Sequence, residues 1–163
     1  MNYRKLRPLV AVGMILFVLM FITGCGDGIK DDLLSYSQNT KPLEKFENES
    51  IKTFSAIVNK TSNDEEAIKS LQEGVIPNLQ KIQGGLEVLQ PKTTEVQKLK
   101  DTHISIVKAQ TEAVNLLIDG LKQKKDEIVD QAVTKFTKVG SDLDAYNKDF
   151  EKLAKDHGLE VEK

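Results

Sequence analysis

The sequence lacks tryptophan and has few other aromatic residues. It contains six phenylalanines and three tyrosines, and Tyr3, Phe17 and Phe21 fall within its first 25 residues. Carbohydrate-binding and nucleic-acid-binding modules usually stack their ligands on exposed aromatic rings. The supply that remains is small for a chain of 163 residues. The composition therefore argues against both kinds of module.

Cysteine and histidine are scarce as well. Cys25 is the single cysteine, so a disulfide within the chain is excluded. The two histidines are His103 and His157, and a helical di-metal site requires Glu-x-x-His pairs. Lys100 and Ala154 stand three residues before them. His103 lies on an apolar helix stripe, so we interpret it as a histidine at the core edge and expect no metal, haem or other cofactor.

Other catalytic arrangements are missing. Gly84-Gly85 has neither the lysine nor the strand context of a phosphate-binding loop, and no Ser-His-Asp order stands out. The acidic residues cluster at predicted helix starts, where they interact favourably with the helix dipole. That placement is not the pairing that acid–base catalysis uses. We therefore predict that the protein is not an enzyme.

The N-terminal segment has the pattern of an export signal. Its basic residues are Arg4, Lys5 and Arg7. Positive charge before an apolar run favours export of the downstream chain. The apolar run 8–22 has 15 residues, whereas a membrane-spanning helix needs about 20. A cleaved signal peptide therefore fits better than the alternative, an uncleaved signal anchor.

Ile22-Thr23-Gly24-Cys25 resembles the lipobox of bacterial lipoproteins, in which an aliphatic residue, a small or β-branched residue and glycine or alanine precede the cysteine. The resemblance implies cleavage between Gly24 and Cys25 and a diacylglyceryl group on Cys25. Two acyl chains make a stable membrane anchor. The implied location is the extracytoplasmic face of a cell membrane. Gly26 stands where an inner-membrane retention signal has aspartate, so a two-membrane host would place the protein in its outer membrane.

The chain beyond residue 24 is acidic. It has 20 basic and 25 acidic residues, which is a net charge of about −5. An acidic domain has no electrostatic reason to bind nucleic acid or anionic lipid directly. We therefore expect membrane contact through the lipid on Cys25 and no nucleic-acid partner.

Apolar residues beyond position 28 recur at spacings of three, four or seven, which indicates amphipathic helices. We predict four helices, over about 29–59, 62–89, 94–125 and 126–158. Short turns connect them, so we expect an all-α fold, an up-down-up-down four-helix bundle. A three-helix bundle with a loosely docked first segment is the alternative. The expected divisions are a signal peptide (1–24), a lipidated cysteine and tether (25–28), a bundle (29–159) and a polar tail (160–163).

Proline and glycine predict where these helices are interrupted. Pro42 should kink or break the first helix between residues 38 and 42. Pro77 and Gly84-Gly85 should bend the second, and the glycine pair either lets a neighbouring helix approach closely or weakens the helix end. The predicted helix-end signals are capping boxes at Ser62–Glu65 and Thr94–Gln97, an N-cap at Asp126 and a Schellman ending at His157-Gly158-Leu159.

Further apolar residues lie beside the main helix stripes. They either widen the face that each helix buries or leave an apolar groove for a partner helix or peptide. They are Ile51, Val58, Ile76, Val88, Val107, Val114, Ile118, Val129 and Val133. We expect the first interpretation to hold for most of them.

Three functional interpretations remain. The leading hypothesis is a non-enzymatic, lipid-anchored bundle that interacts with a protein or an envelope polymer. The second is a ligand-binding or sensory bundle with space between helices near Pro42, Pro77 or Gly84-Gly85, which a buried pocket lined by polar groups would favour. The part after Cys25 also resembles small helical lipoproteins of Gram-positive bacteria. Some of these are described as cell-wall-binding, and the resemblance favours a Gram-positive host.

We predict that Cys25→Ala releases the protein from the membrane fraction, because no thioether can form without the thiol. Fractionation of cells that produce the full-length chain measures this. Gly28→Ala, in the tether, is the control and should stay with the membrane. Unchanged fractionation of Cys25→Ala would contradict the anchor.

Overall fold

The computed structural model describes residues 18–20, 28–60 and 63–162. In these ranges the fold is all-α, as predicted, apart from two three-residue strands. The helices are α1 (Gly28–Thr40), α2 (Glu44–Lys60), α3 (Asp64–Ser70), α4 (Ile76–Glu87), α5 (Thr94–Gln123) and α6 (Asp126–Asp156). A 3₁₀ turn, Lys41–Leu43, separates α1 from α2, and a π-helical turn, Leu71–Val75, joins α3 to α4. No helix within the described ranges is long and apolar enough to cross a membrane.

The two strands, β1 (Val18–Met20) and β2 (Glu160–Glu162), pair antiparallel. The sequence assigns β1 to the signal peptide and β2 to a polar tail. Cleavage before Cys25 would remove β1, so this pairing belongs to the uncleaved chain. The predicted cleavage site and most of the tether, residues 21–27, lie outside the described residues.

The helices α5 and α6 are antiparallel neighbours. Lys135 of α6 donates a hydrogen bond to Glu112 of α5. Closer to the end of α6, the ring of Tyr146 lies 5.1 Å from the ring of His103. Residue numbers therefore fall along α5 as they rise along α6. The two-residue connection between the helices is typical of such a helical hairpin.

The segment formed by α1 and α2 has an equally clear direction. Leu43 contacts the α4 backbone at Gly85, and Thr53 contacts the π-helical turn at Gly74, so this segment runs antiparallel to α4. Asp32 contacts the start of α5, whereas Tyr36 contacts His103 further along it. The first segment is therefore parallel to α5.

Buried apolar side chains form two clusters. One joins α2, α3 and α4 to the parts of α5 and α6 near their connection, and it includes an edge-to-face contact between Phe54 and Phe136 at 5.3 Å. The other joins α1 to the start of α5 and the end of α6. Leu33 is completely buried in this second cluster, a burial that stabilises the fold by about 1.5–3 kcal/mol. The first segment is thus packed into the core and not loosely docked.

The predicted break at Pro42 is confirmed. Helix α1 ends at Thr40, and Pro42 lies in the 3₁₀ turn before α2 starts at Glu44. Proline has no N–H to donate and crowds the preceding turn, so it is tolerated at the first turn of a new helix but not inside one. The break lets α1 join one apolar cluster and α2 the other.

A π-helical turn lies directly before Pro77, where the sequence predicts a bend. That turn spans Leu71–Val75, and Pro77 follows in the first turn of α4. A wider turn leaves room for a proline ring that would otherwise meet the carbonyl of the preceding turn. Leu71 and Val75 remain buried on either side of the irregularity, so the helix keeps its apolar face through it.

Three predicted helix starts are wrong by one residue. The observed N-caps are Asn63, Thr93 and Lys125, in place of Ser62, Thr94 and Asp126. The side-chain oxygen of Asn63 accepts a hydrogen bond from the Glu66 N–H at 2.7 Å. Ser62 and Asn63, like Thr93 and Thr94, are neighbouring caps of similar quality, whereas Lys125 has no side-chain acceptor and its place at the cap has no explanation in its side chain.

The start of α5 is held by a residue from α1. Asp32 Oδ2 accepts hydrogen bonds from the backbone N–H groups of Lys92 and Thr93, both at 2.8 Å, and from the Thr93 hydroxyl at 2.7 Å. This carboxylate replaces the predicted Thr94–Gln97 capping box. A buried negative charge at a helix N-terminus is favourable, and here it also ties α1 to the connection between α4 and α5.

The predicted Schellman ending of α6 is confirmed. Gly158 has a φ of +67°, and its N–H donates to the Lys155 carbonyl at 3.1 Å. The Leu159 N–H donates to the Ala154 carbonyl at 2.8 Å. These are the two hydrogen bonds of the motif. Leu159 then lies buried in the second apolar cluster.

The Gly84-Gly85 pair has two different environments. A Cβ atom at Gly85 would overlap the Leu43 side chain, whereas nothing lies within 4 Å of the corresponding position at Gly84. Gly85 therefore permits the close approach of the first segment to α4, which was one of the two interpretations of the pair. Gly84 leaves a solvent-facing helix position without a side chain.

We predict opposite effects for alanine at these two glycines. Gly84→Ala should raise the free energy of unfolding by about 0.5–1 kcal/mol, because alanine has the higher helix propensity. Gly85→Ala should be less stable than Gly84→Ala by at least about 1 kcal/mol, because Leu43 must move from its place. Urea denaturation followed by circular dichroism measures both. Equal stabilisation by the two substitutions would show that the helices do not meet at Gly85.

Candidate functional site

A chain of buried polar groups joins α1, α5 and α6. The Tyr36 hydroxyl lies 3.1 Å from His103 Nδ1 and 3.2 Å from the Tyr146 hydroxyl. The three residues are 4%, 3% and 2% exposed. Buried polar groups are costly unless they are hydrogen-bonded, so these contacts hold the three helices in register.

This chain borders a small cavity, which we call the polar recess. It has a volume of about 20 Å³, which is room for one water molecule or one group of that size. Its walls are Tyr36, Ser37, Thr40, Leu43, Glu44, Glu47, His103, Tyr146 and Phe150. The more exposed side of the recess, its mouth, is formed by the partly buried residues Ser37, Thr40, Leu43, Glu44 and Glu47.

The Pro42 break positions the acidic side of the recess. Helix α1 stops at Thr40, the 3₁₀ turn Lys41–Leu43 follows, and α2 starts at Glu44. Glu44 and Glu47 then occupy the first turn of α2, where their negative charge interacts favourably with the helix dipole. The interruption thus lies directly beside the recess, which Thr40, Leu43 and Glu44 line.

His103 has one nitrogen in the polar chain and one facing the recess. Its Nε2 atom is buried and has no hydrogen-bond partner among the described residues. Glu47 Oε1 lies 3.8 Å away, which is beyond hydrogen-bond distance. If Nδ1 accepts from Tyr36, Nε2 carries the proton; if Nδ1 donates, Nε2 offers a lone pair. In both tautomers an unpaired polar atom faces the space beside Glu47.

The electrostatics of the recess follow from burial and from like charge. Burial is the main cause that raises the pKa of the Tyr36 hydroxyl and of the Tyr146 hydroxyl. Burial also raises the pKa of Glu44, the nearby charge of Glu47 adds to that effect, and Lys41 opposes it. None of the described residues that line the recess is lysine or arginine. The recess is therefore neutral at the tyrosines and negative at its mouth.

The residues singled out from the sequence, His103, His157 and Cys25, lie in different parts of the chain's structure or outside the described residues. His103 lies in the core as expected, but its hydrogen bond to Tyr36 was not anticipated. His157 is the C-cap of α6 and is not among the residues of the recess. Cys25 lies outside the described residues, so its lipidation stays a prediction. No group of three His, Cys, Asp or Glu side chains within the described ranges could hold a metal ion.

Sequence analysis missed Tyr36, Glu44, Glu47 and Tyr146 as site residues. The two tyrosines lie at positions of the apolar helix spacing, which predicts burial and no particular role, and their rings do lie in the core. A signal was present, because a tyrosine on a buried stripe needs a partner for its hydroxyl. His103 is a polar residue on the stripe of another helix and could have been considered as that partner.

The flanking apolar residues are mostly internal. Buried members of that set are Val58, Val107, Val114, Ile118 and Val129. Ile51, Ile76 and Val133 are partly buried. Within the described ranges, the large hydrophobic side chain that stands exposed is Val88, at 72%. The interpretation that these residues widen the buried helix faces is confirmed, and they do not form a groove for a partner helix.

Comparison with known proteins identified a family. A family model described as EMYY-motif containing lipoprotein matches residues 6–156. The match includes the lipobox and confirms the resemblance to bacterial lipoproteins. The tetrapeptide Glu-Met-Tyr-Tyr does not itself occur in this chain. No curated protein and no solved structure matched.

We predict a loss of stability at high pH that depends on the buried tyrosines. The unfolded chain loses tyrosine protons at a pH of about 10, whereas the raised pKa of Tyr36 and of Tyr146 keeps the folded chain protonated there. Since the folded state then binds more protons, the free energy of unfolding falls as pH rises above about 10. Each tyrosine contributes up to about 1.4 kcal/mol per pH unit.

Urea unfolding at pH values between about 8 and 11 measures this slope. Tyr36→Phe should reduce the slope above pH 10 by up to about 1.4 kcal/mol per pH unit. Lysines titrate in both proteins, so the difference between them isolates the tyrosine. The same slope in both proteins would contradict the buried position of the hydroxyl.

Proposed function

The chain belongs to the family of EMYY-motif containing lipoproteins, and on that premise we propose that it is a non-enzymatic, lipid-anchored binding protein whose polar recess holds a small ligand. Its anchor is a lipid on Cys25, formed after cleavage between Gly24 and Cys25. It lies on the extracytoplasmic face of the membrane, in a Gram-positive host. The ligand reaches the recess from that side.

The proposed arrangement places the recess near the membrane. Helix α1 starts at Gly28, three residues after Cys25, so the bundle begins close to the anchor. Tyr36 is eight residues further along α1, or about 12 Å at the rise of an α-helix. The recess is therefore within reach of molecules in the layer next to the membrane surface.

The whole domain, residues 29–159, is proposed to be an up-down-up-down four-helix bundle. The first segment is antiparallel to α4 and parallel to α5, and α5 is antiparallel to α6. In an up-down-up-down four-helix bundle, consecutive helices are antiparallel and the first and third are parallel. A bundle with one interrupted helix offers a natural opening between helices for a ligand.

The observation that carries the ligand-binding proposal is the buried His103 Nε2, which has no hydrogen-bond partner among the described residues although Glu47 Oε1 lies 3.8 Å away, within ion-pair distance. Native structures leave few buried polar atoms unsatisfied, and an unsatisfied one needs a reason. A ligand atom that bonds both side chains supplies that reason. The exposed surface gives less support to a protein-interaction role. Among the described residues, Val88 is the large hydrophobic side chain that stands exposed, and it stands by itself. Interaction with a protein partner stays a prediction.

Thermal unfolding of the full-length chain in detergent, with a panel of small polar compounds, tests this function. The panel contains amines, sugars, amino acids and phosphates. A ligand at ten times its dissociation constant should stabilise the fold by about 1.4 kcal/mol, which raises Tm by about 3–6 °C. Glu47→Gln should remove this shift. Glu49→Gln, on the same helix but not at the recess, should keep it.

If no compound in the panel raises Tm, or if the shift is the same in wild type and Glu47→Gln, the recess is not a ligand site.

A further inference from the structure

We propose that the polar recess recognises a primary ammonium group, R–NH₃⁺, at the end of a larger molecule. This rests on the proposed function and adds the chemical class of the ligand. The head group lies between His103 Nε2 and the Glu47 carboxylate, and the rest of the molecule extends out past Glu44.

The acceptors around the recess match an ammonium group. Glu44 and Glu47 contribute two carboxylates, and Ser37 and Thr40 add hydroxyl groups. An ammonium group has three donors and no acceptor, and its hydrogen bonds to carboxylates are charge-assisted and strong. The described lining residues include no lysine or arginine, and the nearby charge of Lys41 acts on Glu44 without cancelling the rise in its pKa.

The gap between His103 and Glu47 has the right width for a shared donor. Nε2 and Oε1 are 3.8 Å apart, so one nitrogen can lie about 2.9 Å from both. The tautomer with the proton on Nδ1 donates to Tyr36, Tyr36 then donates to Tyr146, and Nε2 presents its lone pair. In that arrangement, the ammonium group pairs the one nitrogen of His103 that lacks a partner.

Size limits what can enter. The volume of about 20 Å³ admits a group no larger than one water molecule, and an –NH₃⁺ group has that size. A quaternary ammonium group is too large. The aromatic rings of Tyr146 and Phe150 also line the recess, and such rings attract cations when the cation is held close to them.

Charge favours a cation over a neutral hydroxyl group. The repulsion between Glu44 and Glu47, which contributes to the raised pKa of Glu44, is relieved by a positive charge between them and not by a hydroxyl group. A divalent metal ion is the competing cation. The described residues do not contain the three-ligand group of His, Cys, Asp or Glu side chains that would hold one.

Histidine NMR of the full-length chain in detergent tests the inference directly. The chain has two histidines, so the ¹⁵N and ¹³C signals of His103 report on the recess and those of His157 serve as an internal control. The probe is methylammonium chloride at neutral pH. We expect saturable shifts of the His103 signals with a dissociation constant on the order of 10 mM, the range open to two non-hydrogen atoms. His157 signals should not move.

Three compounds and two variants define the specificity. Methanol, tetramethylammonium and magnesium ions, at the same concentrations, should cause no saturable shift of His103. Glu47→Gln should weaken methylammonium binding at least about tenfold, and Glu49→Gln should leave it unchanged. If Glu47→Gln does not fold by circular dichroism, Glu44→Gln replaces it, with the same expected direction.

The outcomes separate the two proposals. Saturable binding of methylammonium that depends on Glu47 supports the ammonium site. Binding of methanol or magnesium ions without methylammonium overturns the ligand class but leaves the recess as a ligand site. Failure of methylammonium here, together with no Tm shift by any compound of the thermal panel, overturns both.

Discussion

Tyr36 makes the contact on which the arrangement of the helices depends. Its hydroxyl reaches His103 on α5 and Tyr146 on α6, so one atom joins three helices. Hydrogen bonds of this kind contribute only about 1 kcal/mol net, but losing a partner leaves a buried polar group at a cost of about 1–3 kcal/mol. The chain of hydroxyl and imidazole groups therefore selects one register of α1 against the hairpin of α5 and α6. Asp32 reinforces it one turn earlier, where its carboxylate holds the start of α5.

Because the first segment is interrupted at Pro42, its two helices, α1 and α2, pack into different apolar clusters. Helix α1 carries Leu33 into the cluster that surrounds Tyr146, and α2 carries Phe54 into the cluster that surrounds Leu117. The close contact of Leu43 with Gly85 brings α4 up to the break on one side. The recess forms on the other side, where the first turn of α2 places two carboxylates beside the polar chain. Packing and candidate function thus meet at the Pro42 interruption, which lets both apolar clusters form and lies beside the polar recess.

Helix positions were predictable because they depend on local patterns. Pro42 and Gly158 act through their own backbone geometry, and both were placed correctly. The N-caps were displaced by one residue because Asn63 and its neighbours are nearly equivalent acceptors, and tertiary contacts select among them. The start of α5 is the clearest example. Its carboxylate partner, Asp32, is 61 residues away from Thr93, so no local capping motif could indicate it.

The sequence by itself determined the class of the protein, through a linear segment that resembles a lipobox, and the all-α fold, through apolar spacings that repeat every three or four residues. The single cysteine also excludes a disulfide within the chain. Only the tertiary structure decided which polar residues meet. Tyr36 is 67 residues from His103 and 110 from Tyr146. Each of them looks like an ordinary core position on its own helix. Their encounter depends on how three helices pack, and side-chain burial then turns three separate residues into one site.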